Sequence, residues 1–166
     1  MSDASALNLV SVDRVPREAL LALRVTPEQQ RFVGRVADLL ADAQGRASAD
    51  PLVLLRGDEA VGLCCIERQA RVIAPIGFEA PAVGLRGYLI DARWQGRGLG
   101  RDALSLLLEI LPQRHPSAQL LVLSVDAGNV AALGLYRQAG FVDVTERYHG
   151  GPVGRGQRLL QRRLDH

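Results

Sequence analysis

The chain contains no lysine: all twenty basic side chains among its 166 residues are arginine. This absence excludes two kinds of site. A Walker-type phosphate loop needs a lysine that reaches the phosphates, and a Schiff-base mechanism needs a lysine amine as the nucleophile. The formal net charge is only +2, so we expect neither nucleic acid nor a membrane surface as a partner.

Cysteines and long apolar runs are also scarce. The two cysteines, Cys64 and Cys65, are adjacent and cannot link distant parts of the chain. The three histidines do not cluster and no metal-ligand spacing occurs, so no metal site is expected. Residues 1–7 lack the basic start and apolar core of a signal peptide, and no run approaches the length of a membrane-spanning helix. The expected location is the cytoplasm.

Apolar periodicity and turn residues predict seven strands and four helices. The strands are expected at residues 7–12, 52–55, 60–68, 84–91, 120–126, 141–145 and 157–164, with a glycine-rich turn at 150–156. The helices are expected at residues 15–23, 27–44, 98–111 and 130–139. Without a repeat period or a linker, this order indicates one α/β layered domain over residues 1–166.

Capping residues, prolines and turn residues set the expected boundaries of the helices and strands. Thr26 is a capping residue, Pro27 suits the first helical position, and Gln29 is placed to complete a capping box. The pair Asp50-Pro51 is expected to break the chain before a strand, and Pro112 is expected to stop the third helix. A hairpin turn is expected at residues 56–59.

The most informative segment is a glycine-rich loop between a predicted strand and a predicted helix, where Gly96, Gly98 and Gly100 alternate. Glycine lets backbone amides crowd together and face outward. The N-terminus of the following helix adds partial positive charge and unpaired N–H donors. Arg97 and Arg101 are placed to add charge-assisted contacts. The loop therefore suits a pyrophosphate group.

Two common phosphate sites fit this loop less well. The dinucleotide fingerprint has the spacing G-x-G-x-x-G and an acidic residue about twenty positions later. Here the spacing is G-x-G-x-G, and Leu120-Leu121 occupy the later position. A Walker loop is excluded because the chain contains no lysine. A tight strand-to-helix turn without a ligand stays open as the structural alternative.

A second informative segment surrounds the predicted helix at 130–139. Asn129 follows a strand and precedes this helix, a position suited to capping and to bonding an amide ligand. Tyr136 lies seven residues later, two helical turns away, so the two residues lie near one face. Gly140 permits a sharp helix end. Taken alone, Tyr136 is more often a packed or surface tyrosine than an acid.

Together the two segments resemble the GNAT superfamily of N-acetyltransferases. Q-G-R-G-L-G at residues 95–100 is similar to the family's Q/R-x-x-G-x-G/A signature, and N-x-x-A-x-x-L-Y-x-x-x-G-F at residues 129–141 is similar to its second signature. The resemblance implies a GNAT-like α/β fold, with a mixed, mostly antiparallel central sheet of about six or seven strands flanked by about four helices. It also implies acetyl-CoA as the cosubstrate.

The resemblance implies a role for each matching position. The strand residues Leu89, Ile90 and Asp91 would bond the pantetheine arm through their backbone. The loop would bind the pyrophosphate through Gln95, Gly96, Arg97, Gly98, Leu99, Gly100 and Arg101. Asn129 would contact the cofactor arm near its thiol end, and Tyr136 would donate a proton to the departing thiolate as general acid.

The expected reaction moves acetyl from acetyl-CoA to a small-molecule primary amine. Residues 25–33 are similar to the N-terminal pattern of bacterial spermine/spermidine acetyltransferases, which makes a polyamine one candidate acceptor. Gly87 stands where that branch has an aromatic residue. Protein and amino-acid amines stay open as acceptors, and so does an acyl-CoA-binding sensor without turnover. A homodimer paired through residues 157–164 is a further possibility.

The general base is not identified by the sequence. Glu67, Asp91 and Asp126 lie near predicted strand ends, where a carboxylate is more often solvated or capping than basic. Four acidic residues lie on or near the first helices: Glu18, Glu28, Asp38 and Asp42. They form either an acidic channel for a polyamine or, as we prefer, the solvent-exposed face of the helices.

Overall fold

The computed structural model describes residues 6–144 and 156–166 of the chain. Thr145, with which one predicted strand ends, lies outside the described residues, as does the predicted glycine-rich turn except for Gly156. Within the described part, no helix has the length and apolar character that crossing a bilayer requires.

The strands form one seven-stranded sheet in the order β1-β2-β3-β4-β5-β7-β6. Their bounds are β1 Leu7–Ser11, β2 Ala49–Arg56, β3 Glu59–Glu67, β4 Ala82–Ile90, β5 Leu120–Asp126, β6 Val142–Asp143 and β7 Gln157–Arg163. Strand β4 runs parallel to β5. The pairs β1–β2, β5–β7 and β6–β7 are antiparallel. The predicted mixed, mostly antiparallel sheet is confirmed.

The described residues contain five α-helices instead of the four expected. Their bounds are α1 Arg17–Leu21, α2 Pro27–Val33, α3 Val36–Gln44, α4 Leu99–Arg114 and α5 Val130–Gln138. The helix predicted at 27–44 is in fact two, because Gly34 adopts a φ of 81° and ends α2. Thr26 caps α2 as predicted, since its side chain accepts from the backbone N–H of Gln29 at 3.2 Å.

Both breaks predicted at prolines are wrong. Pro112 lies inside α4, which continues to Arg114, and the bond from His115 N to the Leu111 carbonyl at 2.8 Å shows that the last turn still closes. Pro51 lies within β2. The ladder between β1 and β2 starts at Leu52, so β1 requires no N–H from Pro51.

The chain divides into two compact units, and the first contains the described residues up to Ile66 together with Gly87–Leu107. Its core is built from apolar side chains of residues 12–40 and of strands β2, β3 and β4. The buried members are Val12, Leu20, Leu23, Val36, Leu40, Val53, Ala60, Leu63 and Leu89. This core supports the end of β4, after which the glycine loop begins.

The second unit contains Glu67–Arg86 and the described residues from Leu108 to His166. Its central strand is β5, whose first four residues are fully buried. Strand β7 pairs with β5 along seven positions, from Leu120↔Arg163 to Asp126↔Gln157. The parallel ladder between β4 and β5 runs from Ala82↔Leu120 to Leu85↔Leu123, whereas β4 itself continues to Ile90.

Candidate active site

In the first unit, the strand that leads into the glycine loop ends at a buried carboxylate. The side chain of Asp91 is fully buried and accepts from the backbone N–H of Arg24 at 3.0 Å. It also accepts from the backbone N–H and the Nε of Arg93, both at 2.9 Å. Asp91 thereby caps the one-turn 3-10 helix Ala92–Trp94 and fixes the exit from β4.

The hydrogen bonds of Asp91 determine its protonation. Burial acts to raise the pKa of Asp91, but the bonds from the side chain and backbone of Arg93 and from Arg24 N–H outweigh it, so the pKa lies below the ordinary 3.8. The same pair raises the pKa of Arg93. Asp91 is therefore an anion with a structural role, as the capping alternative predicted, and a weak base.

The glycine turn has the backbone geometry that a phosphate cradle needs. Gly96 and Gly98 adopt φ angles of 74° and 77°, in the left-handed region that favours glycine. No atom lies within 4 Å of a Cβ built at Gly96, and at Gly98 the nearest is the Nη2 of Arg101 at 3.9 Å. The space above the turn is therefore open, and α4 begins directly after it at Leu99.

Aromatic side chains support this turn from two sides. The guanidinium carbon of Arg97 lies 4.9 Å from the ring centroid of Trp94, and that of Arg56, at the end of β2, lies 4.6 Å from it. The hydroxyl of Tyr88 donates to the carbonyl of Gly100. Arg101 is largely exposed and lies 3.7 Å from Asp102. Of the two arginines in the predicted loop, Arg97 therefore has a defined position, stacked on Trp94.

Gln95 precedes the turn and makes a long-range contact that the sequence does not signal. Its Nε2 donates to the carbonyl of Ile90 at 2.9 Å, and its Oε1 accepts from the Nε2 of Gln29 at 2.9 Å. Gln29 was predicted only as part of a capping box. The Trp94 stack was also missed, although this is the single tryptophan of the chain.

Gly87, the departure from the polyamine-acetyltransferase pattern, has a structural reason. It adopts a φ of 59° within β4, and a Cβ built there lies 3.4 Å from Cδ2 of Leu39 on α3. An aromatic side chain would be strained in this conformation and would meet Leu39. The glycine therefore lets α3 approach the end of β4 closely.

In the second unit, Asn129 caps α5 and Tyr136 lies within it. The Oδ1 of Asn129 accepts from the backbone N–H of Ala132 at 3.3 Å, so Asn129 caps α5 as predicted. Tyr136 is buried and packs edge-to-face on Phe141, with ring centroids 5.6 Å apart. Gly140 ends the helix with a φ of 94°. The packing fixes the direction of the tyrosine ring.

The other two carboxylates near strand ends, Asp126 and Glu67, have different surroundings. Asp126 accepts from the backbone N–H of Gly128 at 2.7 Å, so it closes an Asx turn before α5 and is not the helix cap. Glu67 is fully buried at the end of β3, so the expectation of a solvated side chain is wrong for it. The strand is buried over its last eight residues, whereas a strand with one solvated face would alternate.

The acidic residues of the first helices form the expected solvent-exposed face. Asp38 lies 3.5 Å from Arg35 and Asp42 lies 3.0 Å from Arg46, and the two carboxylate side chains are 73% and 53% exposed. Glu18 and Glu28 are exposed as well. No group of three His, Cys, Asp or Glu side chains that could hold a metal occurs in residues 6–144 and 156–166.

The structure thus brings the predicted residues together in two groups. The first unit holds Leu89, Ile90 and Asp91 with the turn from Gln95 to Arg101, and the second holds Asn129 and Tyr136 on α5. Their contacts with acetyl-CoA stay predictions. Both groups have the strand–helix setting that their sequence patterns predict.

Comparison with known proteins supports this interpretation. The uncharacterized N-acetyltransferase YbbJ of Bacillus subtilis strain 168 is 25% identical over 154 residues, 93% of this chain and 94% of that protein. The spermine/spermidine N(1)-acetyltransferase of the same organism is 25% identical over 162 residues, 96% of this chain and 99% of that protein. Both alignments extend over nearly the whole of each chain.

A solved structure shares the fold. The spermidine N-acetyltransferase from Vibrio cholerae, in complex with CoA and spermine, superposes with a TM-score of 0.65. The two sequences are 16% identical, and the match covers 98% of this chain and 97% of that one. Residues 17–141 match the model of the acetyltransferase (GNAT) family, a stretch that includes both signature segments. The chain therefore belongs to the GNAT family of acetyltransferases.

Proposed function

We propose that the turn around Gly96 and Gly98 holds the pyrophosphate of acetyl-CoA, the cosubstrate of GNAT acetyltransferases. The observation that carries this proposal is the pair of left-handed glycines with open space above them, directly before the N-terminus of α4. Backbone amides of such a turn and of the first helical turn attract a diphosphate. Arg97, positioned by Trp94, adds a charge-assisted contact.

The backbone of Asp91 is already bonded, since its N–H donates to the carbonyl of Val61 and its carbonyl accepts from the N–H of Trp94, both at 2.8 Å. The pantetheine arm is therefore assigned to the backbone of Leu89 and Ile90. This end of β4 lies beyond the four-residue ladder with β5, so it is not part of that ladder's bonding. When bound, the cosubstrate supplies an activated acetyl thioester. The acceptor nitrogen must be neutral to attack its carbonyl carbon, and an alkyl ammonium has a pKa near 10, so a proton must leave the amine first.

We assign the general acid to Tyr136. As the carbon–sulfur bond breaks, the sulfur becomes a thiolate, and the phenol of Tyr136 can supply its proton. Packing on Phe141 holds the ring in one direction. Asn129 uses its Oδ1 to cap α5, and its amide nitrogen is the group that we assign to the cofactor arm.

The charge pattern of residues 17–46 bears on the acceptor. This part of the first unit lies beside the end of β4, since Leu39 contacts Gly87 and Gln29 bonds Gln95. It carries five arginines and four carboxylates, and Asp38 and Asp42 are each paired with an arginine. Such a surface does not concentrate a polycation. The pattern favours a primary amine of low charge over a polyamine.

An acceptor panel tests this proposal. Thiol release from acetyl-CoA is measured with a monoamine, an amino acid, spermidine, spermine and a peptide with a free N-terminus. We expect turnover with at least one acceptor and no preference for spermidine. Replacing both Asp38 and Asp42 by alanine should leave the KM for spermidine within about twofold, because exposed, paired carboxylates contribute little.

Two outcomes would contradict the proposal. Binding of coenzyme A without thiol release for any acceptor would favour the sensor alternative. A KM for spermidine that rises about tenfold or more in the Asp38→Ala, Asp42→Ala variant would instead show an acidic acceptor channel on the first helices.

A further inference from the structure

Helix α2 is joined to the glycine turn by a reciprocal pair of amides. The Nε2 of Gln29 donates to the Oε1 of Gln95 at 2.9 Å, and the Nε2 of Gln95 donates back to the Oε1 of Gln29. The same Nε2 of Gln95 donates to the carbonyl of Ile90 at 2.9 Å. Two side chains therefore link a helix, the end of β4 and the turn.

Helix α2 has few other anchors. It is seven residues long and contains no buried residue, and an isolated helix of this length is unstable in water. It ends at Gly34, where φ is 81° and no atom lies within 4 Å of a Cβ position. Val33 packs against the core of the first unit but is only partly buried. The position of α2 therefore depends strongly on Gln29.

The chain that enters α2 is attached to the same stretch. The backbone N–H of Arg24 donates to Asp91 Oδ2 at 3.0 Å, and the N–H of Ala92 donates to the carbonyl of Arg24 at 2.7 Å. Arg24 lies two residues before the capping residue Thr26. Residues 24–29 and residues 90–95 are thus bonded to each other at two points.

We propose that Gln29 is a positioning residue that transmits occupancy of the glycine turn to α2; this rests on the proposed function. A pyrophosphate held by the amides of the turn fixes Gln95, which directly precedes Gly96. A fixed Gln95 holds Gln29, and α2 with it. Since α2 lies beside the end of β4, to which the pantetheine arm is assigned, its ordering completes the surface that meets the acceptor. Cosubstrate and acceptor binding are then positively coupled.

Hydrogen–deuterium exchange of the full chain, with and without coenzyme A, tests this coupling. In the wild type, coenzyme A should slow exchange at the turn and also slow the amides of residues 30–34 by about tenfold. In Gln29→Ala, the turn should still be protected, whereas the slowing at residues 30–34 should fall below about twofold. Gln30→Ala, at the exposed neighbouring glutamine of the same helix, should behave like the wild type.

Each alternative result has a separate meaning. If Gln29 only stabilised the fold, Gln29→Ala would speed the exchange of α2 by the same factor with and without coenzyme A. The slowing of α2 by coenzyme A would then persist in the variant, and the coupling would be refuted. Protection of the turn without slowing of α2 in the wild type would refute the coupling and leave the proposed function standing. No protection anywhere on adding coenzyme A would overturn both.

Discussion

Asp91 and Tyr136 are both buried, but their partners give them different roles. Asp91 accepts from two backbone N–H groups and from Arg93, so its charge is used to fix the chain. Tyr136 packs on Phe141, and its phenol is the group that we assign to proton transfer. At the scale of single residues, our proposal places the chemistry of transfer on one hydroxyl, whereas Asp91 caps a 3-10 turn and Asp126 closes an Asx turn.

Tyr136→Phe removes that hydroxyl and keeps the ring. We expect kcat to fall by about 100-fold with the best acceptor of the panel, because the leaving thiolate loses its acid. The dissociation constant of coenzyme A, measured by calorimetry, should change by less than about threefold. The kcat should be measured across pH, since a general acid changes the alkaline limb of the profile.

Tyr136→Leu is the matched control for packing. It removes the edge-to-face contact with Phe141 as well as the hydroxyl, and should lower the unfolding free energy by about 2 kcal/mol, which Tyr136→Phe should not do. If Tyr136→Phe has the wild-type kcat at every pH, Tyr136 is a packing residue and the proton comes from elsewhere.

At the scale of elements, the strand–turn–helix around residues 82–114 carries the proposed cosubstrate site. Its sequence makes the turn predictable, because glycine adopts without strain the left-handed φ that a tight turn between a strand and a helix requires. The segment is attached to the α1–α2 connection through Asp91 and Arg24. The structure therefore joins two pieces of the first unit that are distant in sequence.

Asp91→Asn tests this attachment through pH. Because the folded-state pKa of Asp91 lies below its ordinary value, its charge stabilises the fold above the unfolded-state pKa, and this contribution is lost as pH falls through the folded value. Urea unfolding at pH 7 should show the variant less stable by about 2 kcal/mol, the usual cost of a lost hydrogen bond to a charged group.

The difference between wild type and Asp91→Asn should shrink as the pH falls below about 4, because the unfolded wild type then binds a proton at Asp91, and it should be lost once the folded state is protonated as well. Asp58→Asn, in the exposed hairpin turn, is the control and should cost less than about 0.5 kcal/mol. A difference at pH 7 that stays constant down to pH 3 would show that the charge of Asp91 does not stabilise the fold.

Local patterns predicted most elements, and the errors have physical causes. Strand β5 was predicted at its observed bounds, since an apolar run between turns leaves little choice. Gly34 was not recognised as a helix end because apolar spacing continues across it. Pro112 was misjudged because losing one bond near a helix end is tolerated. The Gln29–Gln95 pair and the Trp94 stack depend on tertiary contacts, which periodicity does not contain.

At the scale of the whole molecule, the family is established and the acceptor is proposed. Both signature segments lie within residues 17–141, which match the GNAT family. The predicted homodimer through residues 157–164 stays a prediction; β7 lies between β5 and β6 in the sheet, and β6 pairs with only two of its residues. The single domain over residues 1–166 and the cytoplasmic location also stay predictions.

The central claim is that the turn with Gly96 and Gly98 grips the pyrophosphate, and calorimetric titration with coenzyme A tests it most directly. We predict binding with a Kd of about 1 μM or tighter for the wild type, and none for NAD or ATP. Gly98→Glu should lose at least about 100-fold in affinity, because a charged side chain enters the cradle, whereas Gly77→Glu, at an open loop glycine, should bind normally. Unaltered affinity in a folded Gly98→Glu, or a wild type that does not bind coenzyme A, would contradict the account.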